Sequence, residues 1–412
     1  MFEKIIEGKA ASTAVFEQVE SLVRSQVQVW LQRLLEEEVT AFLGRTKSER
    51  RAAEEEAGYR NGYGKPRRLS MMGGTIAVRR PRVRGLAELF ESRLLPLFQR
   101  RTKEVGEVLP QLYLHGLAQG DFELALRGLL GEGAPLSASS IERLRGQWVA
   151  EYQAWNERSL ADIEPVYLWA DGIYVKAGLE DSKACLLVIV AGLADGSKVV
   201  LAVDSGHRES KESWARVLRD LLKRGMAQPR LVVADGHLGI WAALAEVLPE
   251  VEEQRCWNHK LTNVLDHLPK KLQARAKADL RKIPTAPTEA EAIKRRDVFV
   301  RFWSKDHPKA VEALQRDWER MVTFYRFPQQ HWKHLRTTNP VESPFAAVRL
   351  RTGAAKRYKK VANATALIWK VLLVAQSSFR KLNHPELLPQ VAAGAEYRDG
   401  VKINKVDKRR VA

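Results

Sequence analysis

Two aspartates are set in matching surroundings: Asp171 within Trp169-Ala170-Asp171-Gly172, and Asp235 within Val233-Ala234-Asp235-Gly236. Each ends or interrupts an apolar run. A carboxylate on a buried strand costs several kcal/mol unless it is paired or bound to metal. Two neighbouring carboxylates also repel each other, and a divalent cation relieves both problems. The glycine after each acid would let a phosphate backbone approach closely. A lone Asp-Gly is an ordinary turn signal; two of them, each delivered by a strand-like run, point to a metal site.

The surrounding pattern supplies the elements that must hold these acids. Residues 166–175 and 185–193 read as strands. A third run, 199–203, follows the turn Ala194-Asp195-Gly196-Ser197. Helical periodicity covers 212–224, a fourth strand 231–236, a helix 239–248 and a short strand 253–257. Strands in a hairpin series that then alternate with helices predict a mixed five-stranded sheet flanked by helices, an α+β or α/β fold. Basic helical patterns follow at 272–283, 290–303 and 311–325. No G-x-G-x-x-G follows a first strand, which disfavours a dinucleotide-binding fold.

Upstream, apolar Phe16, Val19, Val23, Val27, Trp30, Leu34 and Leu35 recur at helical spacing over 12–43, a stripe for intramolecular packing or a dimer contact. Residues 58–87 hold Arg60, Lys65, Arg67, Arg68, Arg79, Arg80, Arg82 and Arg84, no acid, and Tyr59 and Tyr63. Alternation at 75–79 after Gly73-Gly74 suggests a short strand. Basic groups with interleaved aromatics suit a DNA backbone, or else form a solvated loop. Three helical patterns follow over 105–153, the second opening at Asp121 as a cap. Their short connections suit a helix-turn-helix unit, with Ser139, Ser140, Arg143 and Arg145 facing a groove.

The 412 residues exceed the size of one growing core and predict several domains. Sixty-eight Lys and Arg against 50 Asp and Glu give a net charge of +18, which favours a polyanionic partner. Two cysteines, Cys185 and Cys256, exclude a disulfide scaffold and suit a reducing cytoplasm. No apolar leader follows Phe2, Ile5 and Ile6, and the longest apolar stretch, 184–193, is about half of a bilayer span. The expectation is a cytoplasmic, nucleoid-associated protein with no membrane partner.

Three ordered motifs make the sequence specific. These are Ala234-Asp235-Gly236-His237-Leu238-Gly239, then Arg255-Cys256-Trp257-Asn258-His259-Lys260, then Leu335-Arg336-Thr337-Thr338-Asn339-Pro340-Val341-Glu342-Ser343. With the Arg-Asn-Gly-Tyr stretch at Arg60, they resemble the mutator-type bacterial transposases of the insertion-sequence-256 family, from about Arg60 to Leu388. The resemblance implies a ribonuclease-H-like catalytic core with an Asp-Asp-Glu triad, falling here on Asp171, Asp235 and Glu342. By itself Glu342, flanked by many cations, would read as a salt-bridge partner. Asp171 and Asp235 are 64 positions apart, and Glu342 lies 107 positions beyond, leaving room for the helical insertion that the family carries.

The implied organisation is a helical region 1–50, a candidate for dimerisation, and a mainly α DNA-binding region 51–155. The catalytic domain occupies 156–260 and 335–390, split by a helical insertion over 261–334. A basic flexible tail covers 391–412. Arg336, Arg349 and Arg351 beside Glu342 join the DNA-contact candidates. The implied chemistry is hydrolysis at an element end by two Mg²⁺ (or Mn²⁺) ions, then transfer of the 3′-OH to target DNA. No covalent protein–DNA intermediate is needed. Recognition of terminal inverted repeats, action as a homodimer and a circular copied-out intermediate are implied as well. Cys256-x-x-His259 lacks a second ligand pair and reads as structural or DNA-contacting, with no zinc expected. His237 either assists at the site or faces solvent. The competing readings are a catalytically silent DNA-binding regulator and a hybrid-directed nuclease of the same fold.

Overall fold

Strands and helices arise largely where the periodicities place them. A computed structural model describes residues 2–50, 58–96, 99–118, 121–130, 138–177, 183–206, 208–355 and 358–403, without the side chains of 2–16, 123 and 138–140. Two compact units result, Met1–Leu144 and Arg145–Ala412.

In the first unit, α1 (Phe2–Leu43) buries only part of its apolar stripe. Val27, Leu31 and Leu35, four apart, pack with Leu69, Ile76 and Val78. Val19, Leu22, Val23, Val29 and Trp30 stay exposed. The basic segment forms strands: β1 (Tyr59–Tyr63) pairs with β4 (Pro81–Arg84), and β2 (Arg67–Met71) with β3 (Gly74–Val78), all antiparallel. Met72 and Gly73 make the turn between β2 and β3, and Gly74 opens β3 at φ +115°. Gln28 and Gln32 of α1 bond the backbone of Ala77 and Arg79, which docks the helix on the edge of β3. The expectation of a mainly α region is thus corrected over 59–84. The strands are short and carry Arg60, Arg67, Arg68, Arg82 and Arg84, which hides the period there, and only the 75–79 alternation survives. Three helices follow as expected: α2 (Lys103–Leu114), α3 (Phe122–Leu130) and α4 (Ala138–Glu157). The division between the units falls inside α4, ahead of the border expected at 155.

The second unit is built on β5 (Pro165–Val175), β6 (Ala184–Leu193), β7 (Lys198–Gly206), β8 (Leu231–Ala234) and β9 (Glu252–Arg255). The sheet order is β7-β6-β5-β8-β9, antiparallel across β7, β6 and β5 and parallel across β5, β8 and β9. It is a mixed sheet of five strands, as predicted. Helices α5 (Lys211–Lys223) and α6 (Leu238–Val247) connect β7 to β8 and β8 to β9. Their Trp214, Leu218, Leu221, Ile240 and Leu244 join Leu168, Leu187, Ile189 and Val232 in one core. The C-terminal segment is tied to other β5 residues: Trp169 Nε1 donates to His334 O at 2.9 Å, and Tyr167 Oη bonds His331 Nδ1 at 2.8 Å.

After α7 (Trp257–Leu265) come α8 (Lys270–Lys282), α9 (Glu289–Trp303), α10 (Pro308–Gln315) and α11 (Trp318–Val322). The single helix expected over 311–325 is two helices and a short 3₁₀ turn. Asp317, in the left-handed region at φ +59°, breaks it. Then follow α12 (Trp332–Leu335), α13 (Asn339–Glu342), α14 (Phe345–Gly353), α15 (Val361–Gln376) and α16 (Leu388–Ala392). The segment expected to be a flexible tail instead makes a hairpin of β10 (Tyr397–Arg398) and β11 (Val401–Lys402). It is anchored by buried Tyr397 and by a bond from Gly400 N–H to Tyr325 O. The rest of that tail, 404–412, lies outside the described residues. No helix among the described residues is long and apolar enough to cross a membrane.

Candidate active site

Strand register alone gathers three of the singled-out residues. Ala170 of β5 is opposite Ala234 of β8, and Ala234 is opposite Arg255 of β9. The next residue in each chain segment is therefore Asp171, Asp235 or Cys256, so one row across the parallel strands carries all three. Cys256 N–H donates to Ala234 O at 2.7 Å and locks the row at its outer end.

Asp171 is 8% exposed and accepts its neighbour's Gly172 N–H at 2.8 Å. Burial, then the charge of Asp235, pushes its carboxyl up to about 7. Asp235 Oδ1 accepts the N–H of His237 at 2.9 Å. His237 caps α6, its ring nitrogen accepting from Gly239 N–H. The oxygens of Asp171 and Asp235 lie within 4.8 Å of each other and of a third carboxylate, Glu209, in the link from β7 to α5. Three such hard oxygen donors can hold a divalent cation.

Glu209 escaped the sequence reading. It falls in the stretch between the third strand and the helix read over 212–224, where nothing was singled out, yet Glu209 is 5% exposed. The available signal was spatial: two glycines make room for it. A Cβ on Gly172 would lie 2.5 Å from Glu209 Oε1, and one on Gly239 would run into the Glu209 carbonyl. The glycines beside the aspartates therefore serve the protein's own packing. Gly172 accommodates Glu209, and Gly236, at φ +103°, accommodates the Arg255 guanidinium.

Glu342 stands at the end of α13, against different partners. Thr338 Oγ1 donates to its carboxylate, and His259 Nδ1 lies 3.7 Å from it. Cys256 caps α7 and His259 sits one turn on, so the two share a face. Cys256, His259 and Glu342 form a second group of possible metal donors within 4.8 Å of one another, one fewer than structural zinc uses. The hydrogen bond to Cys256, with the charges of Glu342 and Asp171 adding, raises His259 to about 9. The charged form of His259 is thereby favoured beside the acids. The two later motifs also touch: Trp257 N–H donates to Arg336 O, Thr338 N–H to Cys256 Sγ at 3.4 Å, and Asn258 to Asn339. Residues 79 to 82 positions apart are thereby brought into contact.

The DNA-contact candidates divide by environment. Lys65, Arg68, Arg79, Arg82, Arg84, Arg143 and Arg349 are exposed. Arg60 is paired with Glu36 at 3.0 Å and bonds Thr40, while Arg67 and Arg80 bond the carbonyls of Pro96 and Phe90. Arg145 is half-buried. Arg336 is stacked over the rings of Phe324 and Trp332. Arg351 is 2% exposed, so the packing of α14 withdraws it from the surface on which contact was expected. The side chains of Ser139 and Ser140 lie outside the described residues.

Comparison with known proteins places this geometry. The profile of the family described as "Transposase, Mutator family" matches residues 3–381. A transposase for insertion sequence element IS6120 from Mycolicibacterium smegmatis is 45% identical over 300 residues, covering 72% of this chain and 92% of that one. One for element IST2 from Acidithiobacillus ferrooxidans is 41% identical over 68% of this chain and 95% of its own. One for element ISRM5 from Rhizobium meliloti is 32% identical over 92% and 94%.

Proposed function

The chain belongs to the mutator family of transposases, and from that premise we propose that it cuts and joins DNA strands through an Asp171, Asp235 and Glu342 triad. The observation that carries this reading is the register of β5 and β8, which sets buried Asp171 beside half-buried Asp235. Asp171 and Asp235 would hold divalent metal, and Glu342, steadied by Thr338 and His259, would complete the site. Mg²⁺ or Mn²⁺ bound there would supply Lewis-acid stabilisation of the attacking and leaving oxygens of the scissile phosphate. The reaction would release a 3′-OH at an element end and then join it to a target phosphodiester.

The sheet order, antiparallel then parallel, supports a ribonuclease-H-like core interrupted by the α8–α11 insertion. The resemblance to the insertion-sequence-256 transposases fits the same reading. So do binding of terminal inverted repeats and assembly as a homodimer. Exposed cations on β2 to β4 and α14 are the residues we assign to DNA backbone contact.

The test is cleavage and strand transfer on labelled DNA carrying the element's own end, with Mg²⁺ or Ca²⁺. Asp171→Asn, Asp235→Asn and Glu342→Gln should each lose nicking and joining by about 10³-fold or more, as removal of a key charge-stabilising group does, while still binding the end. A variant that keeps cutting refutes its own assignment. Wild type that binds without ever cutting returns the regulator reading.

A further inference from the structure

Glu209 is turned inward at a place where a glutamate would ordinarily reach solvent. It precedes Ser210, the side-chain cap of α5. Its Oε1 occupies the space left by the missing Cβ of Gly172, and its main chain lies against Gly239 at the start of α6. Its Oε2 is fully enclosed and accepts no hydrogen bond among the described residues. The acids of Asp171 and Asp235 lie within 4.8 Å of it. A buried carboxylate oxygen without a donor, beside two further carboxylates, is a costly arrangement that a bound divalent cation would turn to use. Tyr174 hydrogen-bonds the Glu209 carboxylate, and Oε2 is the oxygen left without a donor among the described residues.

We propose that Glu209 is a third carboxylate ligand of the divalent ion held by Asp171 and Asp235, in addition to the role given to Glu342. The site is then a four-acid site, with Glu209 and Glu342 entering from different elements. The ligand class is a hard, oxygen-seeking cation such as Mg²⁺ or Mn²⁺. This inference rests on reading Asp171 and Asp235 as metal ligands, so the experiment must separate the two.

Mn²⁺ is titrated by calorimetry into the full-length protein without DNA, and melting is recorded in EDTA. Glu209→Gln should weaken Mn²⁺ binding at least about tenfold, the lower range for disturbing a ligand shell. Its melting temperature in EDTA should be unchanged or higher, because one of three mutually repelling carboxylates is gone. Gly172→Ala, which keeps all the acids but displaces Glu209, should weaken Mn²⁺ binding as well. Wild-type Mn²⁺ affinity in Glu209→Gln, with affinity lost in Asp235→Asn, overturns the assignment of Glu209 alone. Wild-type affinity in Asp171→Asn and Asp235→Asn too overturns the metal site, and Glu209 with it. Lower melting of Glu209→Gln in EDTA with Mn²⁺ affinity intact makes Glu209 a packing residue and also overturns the proposal.

Discussion

Asp171 is held between two demands, since the interior of β5 favours a neutral acid and metal binding requires a charged one. Its carboxyl is raised from the ordinary 3.8 to about 7. A group whose folded value lies above its unfolded one retains its proton in the fold, so its contribution to apo stability falls as pH rises from about 4 to 7. A metal ion must displace that proton below pH 7. The rise in melting temperature on adding Mg²⁺ or Mn²⁺ should therefore be larger at pH 8 than at pH 6, and Asp171→Asn should remove the difference. Equal shifts at both pH values in wild type would exclude Asp171 as a ligand. Lys260 offers a contrasting case. It is 1% exposed, donates to the carbonyls of Ala313 and Arg316, and burial lowers it to about 7. A neutral amine still has two N–H groups for those two carbonyls. Between pH 7 and 10.5 the unfolded chain binds the extra proton, so stability from this group rises with pH across that window. Denaturant unfolding should show wild type gaining on Lys260→Met between pH 7 and 9.5.

Elements bring these groups together, and the break between α10 and α11 has a consequence of its own. Asp317, left-handed at the break, pairs with Arg255 of β9 at 2.6 Å, with both side chains largely buried. Removing one partner of a buried ion pair leaves the other uncompensated, at about 3–5 kcal/mol. Asp317→Asn tolerates the backbone conformation and removes only the charge, so urea unfolding should show most of that loss; a change under about 1 kcal/mol would mean the pair is solvated. The periodicity of 311–325 could not reveal this break, because the apolar positions continue through it and only the tertiary partner Arg255 fixes the turn. The sheet was legible for the opposite reason: β5, β6 and β8 are long or fully apolar, and burial on both faces leaves few alternatives. Asp171 and Asp235 could be read because those strands carried them, and Glu342 because a resemblance named it. Glu209 could not, since what marks it is the Gly172 and Gly239 packing, which is three-dimensional.

Across the whole molecule, the net charge of +18 is a statement about association rather than fold. Lys65, Arg68, Arg79, Arg82 and Arg84 are exposed on or beside the short strands of the first unit. Each one that neutralises a phosphate contributes about −0.9 to the slope of log affinity against log salt. Replacing Arg79, Arg82 and Arg84 by Ala should flatten that slope by about 2 to 3 units, equally on specific and unrelated duplexes. Arg60→Ala should instead act mainly on stability, since its guanidinium is committed to Glu36 and Thr40. An unchanged slope in the triple variant would move the DNA surface elsewhere.

The separation of the acids along the chain also sets an order in time. Asp171, Glu209 and Asp235 leave the ribosome with the strands that gather them, whereas Glu342 follows 107 positions after Asp235. At roughly 5–20 residues per second, synthesis needs about 5–20 s to reach it. During that interval β5 to β9 can pair, but the motif around Thr338 has not yet arrived to dock on Cys256. On the proposed assignment, a nascent chain therefore acquires its sheet before its full catalytic set, and an interrupted one is born unable to cut.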